Sequence, residues 1–335
     1  MEQILLGHGS GGRLTHELIS SVFRKHFIWP ELAEAGDAGY IDIPSGQKLA
    51  FTTDSFVVHP LFFPGGNIGK LAVCGTVNDL SAAGSRPLFL SAGFIIEEGF
   101  AVNELEKIVC SMAETCLQAG VAIAAGDTKV VEKGKADGIF INTSGIGCFE
   151  KIYKPMYMNN IKAGDKIILS GTAGDHGMAI MLARSSMQIK SSLASDCAPL
   201  AALCRDALSC GDIRFMRDPT RGGLTAVLCE IAMGGKCGLE ISEELIPLHR
   251  ETAALAEMLG FDPLCMANEG KMVIIASAAS AASVLSVLSK NIYGKNCAII
   301  GEITEKHPGE VLLNTCVGGR RLLEMPAADQ LPRIC

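Results

Sequence analysis

Between residues 153 and 164 the chain loses its apolar periodicity and turns to Lys154-Pro155 and Asn159-Asn160, a break close to the midpoint of 335 residues. At roughly 150 residues per domain, each side is long enough to bury its own core. Before the break, residues 13–27 set Leu14, Leu18, Val22 and Phe23 at helical spacing, and 104–117 carry a stripe of Leu105, Ile108, Met112 and Cys116. Segments 48–53, 88–94 and 140–146 are short apolar or alternating runs bounded by Gly and Pro, which predicts strands. The expectation is an α+β domain over 1–153. After the break, 166–169, 272–276 and 298–303 read as strands, and 199–208, 224–233, 251–259 and 278–288 as helices. The turn Gly171 to Gly177 feeds a further helix. A second α+β domain is therefore expected over 154–323. Residues 324–335 have two Pro and no periodicity, so they are expected to form a mobile tail that ends at Cys335.

Several function classes drop out. With 29 Lys plus Arg against 36 Asp plus Glu, the formal charge is −7 and the basic residues are scattered, which leaves no footprint for a nucleic-acid backbone. No apolar run approaches the roughly 18 to 20 residues that span a bilayer, and Met1-Glu2-Gln3 lacks the positive flank of a signal peptide, so a cytoplasmic protein is expected. The 13 Cys are odd in number and include no Cys-x-x-Cys pair, which speaks against a disulfide framework and against a zinc site.

The glycine-rich segments are specific mostly by what they fail to match. Gly7 to Gly12 satisfies G-x-G-x-x-G, yet only Ile4, Leu5 and Leu6 precede it as a strand, too little for a dinucleotide fold. Its unhindered N–H groups can still cradle an anion ahead of a helix. Gly65 to Leu71 looks like a P-loop with its first Gly misplaced and Leu71 where a hydroxyl should hold magnesium, and is rejected. Asp37, Asp54, Asp79, Asp127 and Asp218 occupy loop-like or strand-end settings with Lys129, Arg217 and Arg221 nearby; singly they read as turn or cap residues, together as hard oxygen ligands for magnesium and phosphate. His176 stands either as a catalytic group or as a plain helix N-terminal residue, and Glu269 either as a general base or as a solvated turn carboxylate.

Taken together, His8-Gly-Ser-Gly-Gly12, Thr53-Asp-Ser55, Phe62-Phe-Pro-Gly-Gly-Asn-Ile-Gly-Lys70, Gly126-Asp-Thr-Lys129, Gly174-Asp-His-Gly177, Asp218-Pro-Thr-Arg-Gly-Gly223, Asn268-Glu-Gly-Lys271 and Pro332-Arg-Ile-Cys335 are more specific than any one of them. Over nearly its whole length the sequence resembles the HypE family of hydrogenase-maturation carbamoyl dehydratases. That family belongs to an ATP-binding superfamily with aminoimidazole ribonucleotide synthetase, selenophosphate synthetase and thiamine-monophosphate kinase. The resemblance implies a two-domain α+β fold like that of the synthetase, with N-terminal halves pairing into a homodimer. It implies that a carbamoyltransferase, HypF, loads the Cys335 thiol, that the tail enters an ATP site, and that the S-carboxamide is dehydrated to an S-cyanate. The cyanate is then passed to a HypC and HypD complex as a cyanide ligand for hydrogenase iron.

By the same resemblance Asp37, Asp54, Asp79 and Asp218 are assigned to Mg2+. Gly9, Ser10, Gly11, Gly12, Asp54, Asp79, Gly126, Asp127, Thr128 and Arg221 are assigned to ATP and its phosphates, and Cys335, Glu269, Lys129 and His176 to catalysis. Glu269 is the favoured base, with Lys129 as a second base or a clamp on the carboxamide or phosphate. Two alternatives remain: another synthetase or kinase of the superfamily, and a non-catalytic ATP-binding thiol carrier. Against a selenide enzyme, whose reactive Cys is expected near the N-terminus, the first Cys here is Cys74.

Overall fold

The computed structural model describes residues 12–23, 38–42, 47–185, 189–327, 331 and 333–335; His8, Gly9, Ser10, Gly11 and Asp37 lie outside the described residues. The N-terminal half contains α1 (Arg13–Leu18), β1 (Gly39–Asp42), β2 (Lys48–Phe56), β3 (Phe62–Phe63), β4 (Gly66–Asn67), α2 (Ile68–Ala82), β5 (Arg86–Glu97), α3 (Val102–Ala119), β6 (Ala122–Val131) and β7 (Ile139–Cys148). Its main sheet runs β1-β2-β7-β5-β6. β5 and β6 are parallel, so α3 serves as the crossover that a parallel pair requires. α3 buries Ile108, Met112 and Cys116 and ends at Gly120, whose φ of 71° suits a residue without Cβ.

α2 is different. Ile68, Leu71, Ala72, Val73, Cys74, Val77 and Leu80 are all fully buried, so the helix has no polar face and no 3.6-residue contrast to read. Its start is fixed by Asn67, whose side chain accepts from the N–H groups of Gly69 (2.8 Å) and Lys70 (3.1 Å). The rejected P-loop is thus the turn of the β3–β4 hairpin followed by a capped helix, and Lys70 donates to the Gly65 carbonyl at 2.9 Å.

The C-terminal half contains β8 (Lys166–Leu169), α4 (Asp175–Arg184), α5 (Ala201–Cys210), β9 (Ile213–Arg217), α6 (Gly223–Gly235), β10 (Gly238–Ser242), α7 (Arg250–Leu259), β11 (Val273–Ala276), α8 (Ala281–Leu288), β12 (Ala298–Thr304), β13 (Val311–Asn314) and β14 (Arg320–Leu323). They build a seven-stranded sheet ordered β14-β13-β10-β12-β8-β11-β9. β8 and β11 lie inside it, which explains their continuous apolar runs. Of the helix expected over 13–27, α1 covers Arg13–Leu18 and passes into a π-helical turn, Ile19–Phe23, while 24–27 lie outside the described residues.

The halves are stitched together by Asn78 of α2. Its amide donates to the carbonyls of Ala198 (3.1 Å) and Glu269 (3.3 Å), and its oxygen accepts from Leu200 N–H (2.8 Å). The tail is docked rather than free. Leu331 and Ile334 join the core cluster that the N-terminal half shares with Met178, Ala179 and Ile180 of α4, Val57 N–H donates to Cys335 O (3.1 Å) and His59 N–H to Arg333 O (3.2 Å), the spacing of an antiparallel pair. The reason is burial: Ile334 is only 3% exposed.

Candidate active site

Docking places Cys335 where the two halves meet. The Arg221 guanidinium has its pKa pushed up, first by Cys335, against the opposing effect of burial, and then by Asp54, Glu269 and Asp79. Five of the residues expected to act together are therefore electrostatic neighbours, although they come from β2, α2, the loop before α6, the loop before β11 and the tail. Asp54 and Asp79 are brought together by the sheet. Thr52 and Asp54 share the face of β2 turned to α2, and Thr52 donates to Asp79 at 2.9 Å.

Arg221 is followed by Gly222 (φ 74°), the N-cap of α6, and Gly223 (φ 63°), its first residue, both in the left-handed conformation. A Cβ on Gly223 would lie 2.5 Å from Met266 O, so the loop can sit this close only with Gly. Asn268 holds the arrangement: its oxygen accepts from Gly174 N–H (2.7 Å), and its amide donates to Pro219 O (3.0 Å) and Met266 O (3.2 Å). Gly12 reaches the same region, since α1 donates from Arg13 N–H to Pro326 O (3.1 Å) and a Cβ at Gly12 would meet that carbonyl.

Glu269 is 2% exposed, and its Oε1 is buried without a hydrogen-bond partner. Burial first, then Cys197, Asp218, Asp196 and Asp54, push its carboxyl well above the usual carboxylate range. The solvated-turn reading of Glu269 is thereby replaced by a buried acid that favours its protonated form. Asp196, which the sequence reading missed, supports it by accepting from Glu269 N–H (3.0 Å) and pairing with Lys271 (3.1 Å).

Asp218 stands with Asp54 among the carboxylates that press on Glu269, Asp37 is outside the described residues, and among the described residues no three of His, Cys, Asp and Glu gather as a metal cage. Two other expectations meet a different geometry. Lys129 and Asp127 pair with each other at 3.3 Å, and the Lys129 side chain is 72% exposed. Their registers, Asp127 to Gly93 and Lys129 to Ile95, put them on the open face of the sheet, opposite Asp54. Counting β2, β7, β5 and β6 at a strand spacing of about 4.8 Å, they are also about 14 Å away across the sheet. Gly126 and Thr128 alternate to the helix-facing side, where Gly126 lines an apolar cavity of about 510 Å3 with Phe94, Met112 and Cys116. Finally, His176 is fully buried and faces the tail backbone, its Nε2 2.8 Å from Ile334 O, rather than a reacting group.

The open face also carries an exposed apolar row, Phe51, Ile146 and Phe89, matched in register and 41%, 39% and 51% exposed. Among the described residues no helix is long and apolar enough to cross a membrane.

Comparison with known proteins agrees with this architecture. The N-terminal domain of the AIR synthase related proteins matches residues 35–149 and the C-terminal domain residues 162–314. Carbamoyl dehydratase HypE of Escherichia coli (strain K12) is 44% identical over 339 residues, with 100% of each chain covered. A solved HypE–HypF complex is 47% identical with a TM-score of 0.87, covering 92% of this chain and 99% of that one. HypE solved in complex with ATP is 42% identical with a TM-score of 0.83, covering 99% and 100%. With relatives this similar along its entire length, and with both halves of the AIR synthase related architecture in place, the chain belongs to the HypE family of carbamoyl dehydratases.

Proposed function

We propose that the chain dehydrates a carbamoyl group carried on its own Cys335, using ATP, and so supplies cyanide ligands for hydrogenase iron. The observation that carries this reading is the seat of Cys335: it is the largest electrostatic neighbour of Arg221, in a buried cleft that also holds Asp54, Asp79 and Glu269. A thiol merely ferrying a group has no need of such a seat.

The chemistry explains the residue types. A carboxamide oxygen is a poor leaving group, so it must take up the γ-phosphoryl group, leaving an S-bound imidate phosphate and ADP. Loss of the nitrogen protons and departure of phosphate then give the S-cyanate. Phosphoryl transfer needs positioning and charge neutralisation, which Arg221 and the positive end of α6 supply from this chain. Mg2+ is commonly held by one or two carboxylates together with nucleotide phosphates, so the Asp54 and Asp79 pair suits it better than a four-carboxylate cage. Bound there, the metal would neutralise charge on the transferring group.

Glu269 takes the proton from nitrogen: its raised pKa makes it a stronger base than an ordinary carboxylate once ionised, and Arg221 is the cation that favours the ionised form. Lys129 completes the site from a second copy of the chain. The exposed row of Phe51, Ile146 and Phe89 is the surface a homodimer would cover, and Lys129 and Asp127 share that face. HypF, bound to HypE in the solved complex, is the loading partner, and HypC with HypD the acceptor.

The test is intact-mass spectrometry of the full chain after carbamoylation by its transferase, before and after Mg-ATP, with Cys335→Ala as control. The expected result is a carboxamide on Cys335 that loses one water on ATP addition. An adduct that never loses water overturns the dehydratase reading in favour of a carrier, and no adduct on Cys335 favours a small-molecule synthetase or kinase.

A further inference from the structure

Of the buried titratable groups, His176 is the one the chemistry above leaves unused. It sits in the first turn of α4, enclosed against the Phe63 ring, edge to face with centroids 5.6 Å apart. The Ile334 carbonyl can only accept, so the 2.8 Å contact requires the proton on Nε2. Nδ1 of the neutral ring then accepts, and Ser195 Oγ is 2.7 Å from it to donate; that oxygen in turn accepts from Cys197 N–H at 3.0 Å. This chain of bonds determines the tautomer and the ring orientation. Burial pulls the His176 pKa down, Asp196 pushes it the other way and Arg184 adds to the fall, which agrees with a neutral imidazole. With both nitrogens engaged and no exposed surface, the ring has no free lone pair for a proton from the carboxamide.

The carbonyls on either side of Ile334 are held as well. Arg333 O accepts from His59 N–H and from the Arg184 guanidinium, and Cys335 O accepts from Val57 N–H. Two of these donors come from the segment after β2 and Arg184, like His176, from α4, so the tail spans the junction between the halves. His176 is the donor that grips it from within the core.

We propose that His176 is a positioning residue, a latch on the Ile334 carbonyl that sets the fraction of molecules in which Cys335 stands beside Arg221. Its consequence for turnover rests on the reading of Cys335 as the group-bearing thiol; the latch itself does not. A tail that must be loaded by a partner and then brought to the cleft needs docking that is favourable but reversible. One hydrogen bond to a buried carbonyl is about a tenfold bias in that equilibrium.

The test uses the full chain and trypsin, which cuts after Arg333 only when the tail is undocked. Loss of the Ile334-Cys335 dipeptide is followed by intact mass, and cleavage at the exposed Lys135 serves as the control for general loosening. His176→Ala is expected to speed tail cleavage about tenfold with Lys135 cleavage unchanged, since cleavage of a transiently open segment tracks its population. His176→Gln, whose amide N–H can occupy the Nε2 position, is expected to restore a rate within about threefold of the unsubstituted chain. Should His176→Ala unfold, Ser195→Ala carries the test: it keeps the imidazole but removes the Nδ1 partner, and is expected to speed tail cleavage. An unchanged tail rate in these variants overturns the latch, as does His176→Gln cutting as fast as His176→Ala. Because neither ATP nor a carbamoyl group is present, failure here leaves the dehydratase reading standing, and failure of water loss leaves the latch standing.

Discussion

Replacing Ile334 in a graded series tests whether apolar burial drives tail docking. The side chain is 3% exposed within the core shared by the N-terminal half and α4, so nearly all its transfer free energy is gained on docking. At about 0.8 kcal/mol per buried methylene, Ile334→Val loses about 0.8 kcal/mol and Ile334→Ala about 2.4 kcal/mol, or about fourfold and fiftyfold in the docked-to-undocked ratio. The assay is hydrogen exchange at the Val57 and His59 amides, which donate to Cys335 O and Arg333 O and are released when the tail leaves. Exchange at these amides should accelerate by those factors, with β8 and β11 unaffected. Equal acceleration by Val and Ala, or none by either, would refute the burial argument.

Glu269→Gln should abolish water loss from the carbamoylated chain while leaving ATP bound. It should also alter stability with pH in one direction. The folded pKa lies above the ordinary 4.5, so the contribution of the native carboxyl is fully present below about pH 4.5 and is lost as pH rises toward the folded value. The variant should therefore melt higher than the parent at pH 7 to 8 and not at pH 4.5; a gain independent of pH contradicts the desolvation account. Gly65→Ala, at φ 95° with its new Cβ 2.5 Å from Ser195 O, should cost about 2 kcal/mol in chemical denaturation, and an unchanged midpoint would show that the loop yields freely. If Lys129 acts across a dimer, mixing inactive Lys129→Ala and Cys335→Ala chains should recover about a quarter of parental turnover, because half the dimers carry one complete site. No recovery in verified mixed dimers would place Lys129 outside the reaction.

Much of the fold was legible locally. Strands β2, β5 and β7 each separate an α2-facing side from an open side, and the alternation announces it. The stripe on α3 did the same for a helix with one buried face. α2 stayed hidden because it is enclosed along nearly its whole length, and β6 because it is an exposed edge strand whose residues show no burial contrast. The motifs marked which residues carry chemistry, but chain position does not say which side of a sheet a residue faces.

By itself the sequence determined the two α+β halves, the break between them, the Asp and Gly motifs and the Cys335 tail, since composition, local spacing and residue chemistry are properties of short segments. Only the tertiary structure decided that Asp54, Asp79, Arg221, Glu269 and Cys335 share one cleft, that Lys129 turns away from it, and that His176 grips the tail. Those outcomes depend on strand register and on burial between distant segments, such as His176 and Ile334, 158 positions apart, which no local pattern records.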